Sequence, residues 1–284
     1  MKGLPGSGKS TFARNLLSEN PNTFKRINRD ELRAMFDNGI TNRGNEKFIK
    51  KIRDILIMEA LKDGKSVIVD DTNLSPRSHI RIAQLVLEYN KTFQQAVKVE
   101  IHEMETSITE CLARDSERTN PVGEKVIRDM YRQFYSDENL YAQQDEQLPK
   151  AICCDLDGTL ALLNGRDPYM AKDCGKDILN KPVASVLKNY KIMGYHIILL
   201  SGRFGTYRSE TESWLEAHGI SYDLLVMRDG KDQRKDAIVK REFFEQYVLG
   251  KFYVEFILDD RNQVVNMWRD ELKIPCFQVN FGDF

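Results

Sequence analysis

Short apolar runs rich in β-branched residues alternate with stretches of helical period along most of this chain. Ser66-Val67-Ile68-Val69-Asp70 reads as a buried strand, and Arg81 to Tyr89 as the helix after it. Ala96-Val97-Lys98-Val99-Glu100-Ile101 is a second strand, and helical stretches follow at Ser107 to Arg118 and Glu124 to Tyr135. The polar stretch Ser136 to Lys150 ends in Leu148-Pro149-Lys150, and a new hydrophobic strand opens at Ala151. Beyond it come a helix around Lys181 to Lys191 and three strands: His196-Ile197-Ile198-Leu199-Leu200, Asp223-Leu224-Leu225-Val226-Met227 and Glu255-Phe256-Ile257-Leu258. The alternation predicts an α/β protein with parallel sheets flanked by helices, and the polar stretch divides it into two domains, 1–148 and 149–284.

At 284 residues the chain is long enough for two ordinary domains, and a hydrophobic fraction of 41% suffices for a core in each. Lys and Arg number 42 against 43 Asp and Glu, so no global field draws the protein to nucleic acid or membrane. Nucleic-acid binding must come from local basic clusters. Nothing reads as a signal peptide or as an apolar run long enough to cross a membrane, and the expectation is a soluble, intracellular protein. The five cysteines lack C-x-x-C spacing and the four histidines are scattered, which disfavours a disulfide framework, a zinc cluster and a His-based metal site. Cys153 and Cys154 fall in an apolar run and read as buried small hydrophobes.

Gly3-Leu4-Pro5-Gly6-Ser7-Gly8-Lys9-Ser10 spells G-x-x-x-x-G-K-S, the loop whose backbone N–H groups and lysine wrap nucleotide phosphates. Its glycines let the backbone approach the phosphates, Lys9 reaches the terminal ones, Ser10 offers a hydroxyl to Mg²⁺, and a helix follows from Ser10 and Thr11. Only Met1 and Lys2 precede Gly3, so the buried strand that normally leads into such a loop is absent from the sequence. Either residues upstream are missing or another segment fills that slot.

Asn28-Arg29-Asp30-Glu31-Leu32-Arg33 opens a helix, and Asp30 and Arg33 at i, i+3 share one face near its N-terminal end. In phosphoryl transfer to a hydroxyl, an aspartate accepts the proton while an arginine holds a neighbouring phosphate. On spacing alone the same pair also fits an acidic first-turn residue in a surface ion pair. Asp70-Asp71 closes the strand begun at Ser66, where one of the two meets Mg²⁺ or orients a catalytic group, or both serve the turn Thr72-Asn73-Leu74-Ser75-Pro76. Arg114 and Arg118, at i, i+4 on a helix leading into Thr119-Asn120-Pro121-Val122-Gly123, form either a lid that stabilises a transferring phosphate or a solvated helix face.

Cys153-Cys154-Asp155-Leu156-Asp157-Gly158-Thr159-Leu160 places D-x-D-G-T at the end of an apolar strand and resembles the first motif of the haloacid-dehalogenase phosphatases. That resemblance implies that Asp155 attacks phosphorus and that Asp157 serves as general acid and base, with Mg²⁺ offsetting repulsion between nucleophile and anionic substrate. The family's other motifs follow in order. Leu199-Leu200-Ser201-Gly202-Arg203 matches the strand-ending serine at the phosphate, Lys235 in Arg234-Lys235-Asp236 the neutralising cation, and Leu258-Asp259-Asp260-Arg261 the acidic pair at the metal. The stretch between the first two motifs leaves no room for a large cap, and an open site favours a phosphate on a macromolecule's end.

A phosphate-binding-loop kinase followed by this phosphatase resembles, over essentially the full length, the phage-type polynucleotide 5′-kinase/3′-phosphatases. The shared signatures are Gly6-Ser7-Gly8-Lys9-Ser10-Thr11, Ile27-Asn28-Arg29-Asp30, Asp71-Thr72-Asn73-Leu74, Asp155 to Thr159, Asn164-Gly165-Arg166, Ser201-Gly202-Arg203, Arg234-Lys235-Asp236 and Asp259-Asp260-Arg261. The resemblance implies an N-terminal kinase domain with a parallel sheet and a C-terminal Rossmann-like phosphatase domain with a minimal cap. It implies that Gly3, Pro5, Gly6, Ser7, Gly8, Lys9, Ser10 and Thr11 hold ATP, that Asp30 is the base for the 5′-hydroxyl, and that Arg33 grips the adjacent phosphate. Arg118 would clamp the donor and Asp71 support the site. In the second domain Asp155, Asp157 and Lys235 would be catalytic, Ser201, Gly202 and Arg203 would bind phosphate, and Arg166 would contact substrate. Ser10 in the kinase, and Asp155, Asp157, Asp259 and Asp260 in the phosphatase, would hold Mg²⁺.

The implied function is healing of RNA or DNA ends: ATP-dependent phosphorylation of 5′-hydroxyls, and hydrolysis of 3′-phosphates and 2′,3′-cyclic phosphates through an aspartyl-phosphate. The resemblance further implies a homo-oligomer acting upstream of a ligase, without a membrane, in the cytoplasm of a bacterial or phage-infected cell. Two other readings remain: a small-molecule kinase fused to a metabolite phosphatase, and a phosphatase joined to a kinase-dead module that binds nucleotide or nucleic acid.

Overall fold

The computed structural model describes residues 1–135, 141–167 and 170–282. The chain forms two compact units, Met1–Ser136 and Asp137–Phe284.

In the first unit the order is α1 (Lys9–Glu19), β1 (Phe24–Ile27), α2 (Arg29–Asp37), α3 (Arg43–Lys62), β2 (Ser66–Val69), α4 (Pro76–Phe93), α5 (Ile108–Ser116) and α6 (Glu124–Phe134). Side-chain caps start three of the helices: Asn28 accepts from the N–H of Glu31, Asn42 from those of Gly44 and Asn45, and Ser107 from that of Glu110. β1 and β2 pair in parallel, Phe24 opposite Ser66 through Ile27 opposite Val69. Ile27, Leu32, Ile49, Ile57, Val69 and Leu85 close the core between this pair and the helices. Leu4, Leu74, Ile108, Cys111 and Ile127 form a second cluster at the glycine-rich loop.

The strand expected over Ala96 to Ile101 does not form a ladder. The slot beside β2 is held instead by the first residues of the chain. Met1 donates its ammonium to the Val69 carbonyl at 3.3 Å, and Gly3 N–H donates to Thr72 O at 3.1 Å. Lys2 makes one parallel bridge to Glu103, with Lys2 N–H donating to His102 O at 2.8 Å and Met104 N–H to Lys2 O at 2.9 Å. Among the described residues, the stretch before His102 therefore has no strand to pair with, and its period-2 pattern is left unused.

The second unit contains β3 (Lys150–Cys154), β4 (Ala161–Leu162), β5 (Ile178–Leu179), α7 (Lys181–Ile192), β6 (His196–Phe204), α8 (Arg208–Ala217), β7 (Leu224–Arg228), α9 (Asp236–Tyr247), β8 (Tyr253–Arg261), α10 (Asn262–Asn266) and β9 (Cys276–Gly282). Five strands make one parallel sheet in the order β7-β6-β3-β8-β9. Both faces are buried, which explains the unbroken apolar runs: Ile152 and Cys154 pack on one side and Ala151 and Cys153 on the other. Between β3 and α7 the described residues add only the β4–β5 hairpin and a 3₁₀ turn over Ala171–Lys176, in accord with the small cap expected.

The first five residues of the polar stretch Ser136 to Lys150 lie outside the described residues. Its later part is tied to the second unit: Ala142 N–H donates to Lys273 O at 2.9 Å, and Gln144 exchanges two hydrogen bonds with the Val254 backbone. No described helix is long and apolar enough to cross a membrane.

Candidate active sites

In the first unit the glycine-rich loop precedes α1, with Gly6 and Gly8 at φ of 82° and 89°. A Cβ at Gly6 would lie 2.3 Å from the Cys111 carbonyl oxygen, so glycine is required there. Gly6→Ala is expected to lower the unit's stability by at least ~1–2 kcal/mol and to weaken nucleotide binding, read as a lower Tm and loss of nucleotide-induced stabilisation. Lys9 folds back into the loop, donating to Gly3 O at 2.8 Å, Leu4 O at 2.6 Å and Ser7 Oγ at 3.1 Å. Burial pushes its ammonium down to about 8. The loop carbonyls thus hold the cation where an anion would reward it. A cleft of about 560 Å³ opens over Gly6, Ser7, Gly8 and Thr11, and Arg114 and Arg118 both line it.

α2 carries the second part of this site. Asp71 accepts from Arg29 N–H at 2.9 Å and from Arg29 Nε at 2.7 Å, fixing the first turn of α2 to the end of β2. Asp30 projects from that turn, 86% exposed, and pairs with Arg33, which also pairs with Glu46 of α3. Asp70 is buried, accepts from Arg26 Nε at 2.7 Å, and leaves Oδ1 without a partner. Arg114 reaches the Gly6 carbonyl at 3.5 Å and pairs with Glu110, whereas Arg118 pairs with Asp115 at 3.3 Å.

In the second unit Asp155 follows β3 at the centre of the sheet, and Asp259 and Asp260 lie in β8 beside it. One carboxylate oxygen from each lies within 4.8 Å of the others. Asp260 Oδ1 accepts from Thr159 at 3.2 Å, but its buried Oδ2 has no partner. Gly158, at φ 86°, leaves the space in front of it open, since a Cβ there would meet Oδ2 at 2.2 Å. An orphaned carboxylate oxygen in a cluster of three aspartates suits a hard divalent cation. Burial, then Asp259, pushes the Asp260 carboxyl up to about 6, and burial raises Asp155 well above the ordinary carboxylate range.

The structure sets Lys240, not the expected Lys235, beside these carboxylates. Lys235 is exposed at the N-cap of α9. Lys240, 1% exposed, puts Nζ 2.8 Å from Asp155 and 2.9 Å from Asp259, with Asp236 at 3.5 Å. Burial alone would lower this ammonium, but Asp155, Asp236 and Asp259 together raise it well above its ordinary value. Its signal was helical phase: Lys240 follows buried Val239 and lies one turn from buried Phe244, on the face turned to the sheet. Lys240→Ala is expected to abolish phosphatase activity and, by leaving buried carboxylates unpaired, to cost about 3–5 kcal/mol of stability. Lys235→Ala is expected to retain both the activity and the Tm.

The carboxylate of Asp157 lies outside the Asp155, Asp259 and Asp260 cluster. It accepts from Arg203 Nε at 2.9 Å and Nη2 at 2.7 Å and pairs with Arg166. Both arginines, expected to reach substrate, are turned to Asp157 and to buried Asp177, which accepts from Arg166 Nη2 at 2.6 Å and Arg203 Nη2 at 3.0 Å. Asp177 was not legible as a site residue, because it stands alone in Gly175-Lys176-Asp177-Ile178 with no motif around it. Ser201 is buried at the sheet, its Oγ accepting from Arg203 N–H at 3.1 Å. Gly202 has no room for a Cβ, which would meet Asp236 Oδ1 at 2.6 Å.

A nucleotide-binding loop on one α/β unit and a carboxylate cluster on another define a P-loop kinase domain joined to a phosphatase domain of the haloacid-dehalogenase type. Comparison with known proteins agrees. Residues 149–284 match the family described as "Polynucleotide kinase PNKP phosphatase domain", and residues 1–136 match an "AAA domain" family. The "Putative bifunctional polynucleotide kinase/RNA ligase" of Autographa californica nuclear polyhedrosis virus is 31% identical over 96% of this chain and 41% of the viral protein. The "L-seryl-tRNA(Sec) kinase" of Methanococcus maripaludis is 29% identical over 50% of this chain and 54% of its own length. This chain therefore spans about half the length, or less, of these curated relatives. A chain in the solved "Structure of the Pnkp1/Rnl/Hen1 RNA repair complex" superposes with TM-score 0.53 at 42% identity, covering 100% of this chain and 95% of that one. A chain in "Structure of Pnkp1/Rnl/Hen1 complex" gives 0.52 at 44% identity, with 100% and 96% covered. The chain belongs to the bifunctional polynucleotide kinase/phosphatase family.

Proposed function

We propose that the protein heals polynucleotide ends, phosphorylating 5′-hydroxyls with ATP and removing 3′-phosphates, including those held as 2′,3′-cyclic phosphates. The observation that carries this reading is the presence in one chain of a P-loop cleft, of the Asp30–Arg33 pair on α2, and of Asp155 set among Lys240, Asp259 and Asp260. The pairing of these domains in an RNA repair complex and in a viral kinase/ligase supports RNA ends, readied for a ligase, as the substrate. We place the domains at 1–148 and 149–284.

In the kinase, ATP phosphates replace the loop carbonyls as partners of Lys9, and Ser10 and Thr11 lie at the start of α1 to meet them. The 5′-oxygen attacks the γ-phosphorus, Asp30 takes its proton, ADP leaves, and Arg33, held by Glu46, grips the next phosphate of the acceptor. Arg118 is assigned to the charge on the transferring phosphate, and Asp71 keeps Asp30 in place through Arg29.

In the phosphatase, Asp155, Asp259 and Asp260 would hold Mg²⁺, which would offset the charge of an anionic substrate. Asp155 attacks phosphorus while Asp157, entering the step with a proton, gives it to the leaving 3′-oxygen; Asp157 then takes a proton from the water that cleaves the aspartyl-phosphate, which releases inorganic phosphate and restores both aspartates. Lys240, paired with Asp155, and Ser201 are assigned to the substrate phosphate, and Arg166 and Arg203, both held by Asp177, fix the Asp157 carboxylate. Transfer of label from γ-labelled ATP to a 5′-hydroxyl oligonucleotide, and release of inorganic phosphate from a 3′-phosphate oligonucleotide, test the two halves. A preference for free nucleosides or sugars over oligonucleotides would instead support the small-molecule reading.

A further inference from the structure

The hairpin formed by α2 and α3 carries an aromatic and basic surface that the catalytic reading leaves unused. Phe36 and Phe48 are each 45% exposed and meet edge to face, with ring centroids 5.4 Å apart. Met35 and Ile40 beside them are also exposed. The first turns of α3, residues 43–51, hold Arg43, Lys47, Lys50 and Lys51, all exposed, against the single carboxylate Glu46. Glu46 is already engaged by Arg33, and Asp37 is the acidic side chain that α2 places nearest Phe36 in sequence.

Two links fix this surface to the acceptor site. The Arg33–Glu46 pair joins α2 to α3, and Phe36 lies at i+3 from Arg33, about one helical turn away on a neighbouring position. Exposed rings flanked by unsatisfied cations suit a ligand that offers π-faces and phosphates together, and a single-stranded polynucleotide offers both. We propose that nucleobases following the 5′ end stack on Phe36 and Phe48 while the phosphates between them meet Lys47 and Lys51, so that the α2–α3 hairpin selects polynucleotide acceptors over mononucleotides. The proposal rests on the reading of Asp30 and Arg33 as the acceptor groups.

The test compares kcat/KM for a single-stranded RNA 10-mer with that for a nucleoside 3′-monophosphate, which carries the phosphate for Arg33 and nothing beyond it. Stacking is worth about 1–3 kcal/mol per base, so Phe36→Leu/Phe48→Leu, which keeps apolar packing, is expected to lower the 10-mer to mononucleotide ratio at least about tenfold, through KM. Phe36→Tyr/Phe48→Tyr, which keeps the rings, is expected to restore it. Lys47→Ser/Lys51→Ser is expected to reduce the slope of log KM against log salt by about 1.4, at ~0.7 per phosphate contact. Equal losses on both acceptors, or an unchanged 10-mer KM in every variant, would overturn the stacking surface, the latter leaving the patch to a protein partner. Failure of the unsubstituted protein to phosphorylate either acceptor would overturn the kinase reading and this one together.

Discussion

Asp155→Asn is expected to remove 3′-phosphatase activity by about 10³-fold or more while leaving 5′ phosphorylation intact. Asparagine keeps the shape of the side chain but has no anionic oxygen to attack phosphorus. The fold should not suffer. Burial raises the Asp155 carboxyl well above its ordinary range against the pull of Lys240, so a neutral amide there relieves a strained charge. Lys240 keeps Asp259 at 2.9 Å and Asp236 at 3.5 Å as partners. The Tm of the variant is therefore expected to equal or exceed that of the parent, and a loss of activity accompanied by a large fall in Tm would count against Asp155 as the nucleophile.

The converse result is expected in the other unit. Asp30→Ala should lower 5′ phosphorylation by about 10²–10⁴-fold, the usual contribution of a positioned base, and leave the phosphatase unchanged. Asp30 is exposed and its partner Arg33 retains Glu46, so the helix keeps its link to α3 when the carboxylate is removed. The loss should fall on kcat. Arg33→Ala, by contrast, should raise the acceptor KM, because it removes a phosphate contact present in ground and transition states alike. Equal loss of both activities from either aspartate would argue against two separate sites.

Much of this was legible in the sequence because it is written contiguously. A loop that wraps phosphate needs its glycines, lysine and serine within a few residues, and D-x-D-G-T must leave one strand and turn at once; local spacing carries both. The β3, β6, β7 and β8 strands were visible because burial on both faces leaves unbroken apolar runs. What depends on packing was not. Lys235 and Lys240 both stand in charged surroundings, and only the start of α9 at Asp236 shows that the later one turns inward. Asp177 works through contacts to Arg166 and Arg203, one 11 and the other 26 residues away, with no local pattern to mark it. The strand over Ala96 to Ile101 had the right alternation but lacks a ladder, since Lys2 bridges the chain only at Glu103.

The most direct measurement is to incubate the protein with Mg²⁺ and ATP and an RNA oligonucleotide bearing a 5′-hydroxyl and a 3′-phosphate, and to read both ends by mass. The expected result is a phosphate gained at the 5′ end and one lost at the 3′ end of the same molecule. An oligonucleotide unchanged at both ends would contradict it.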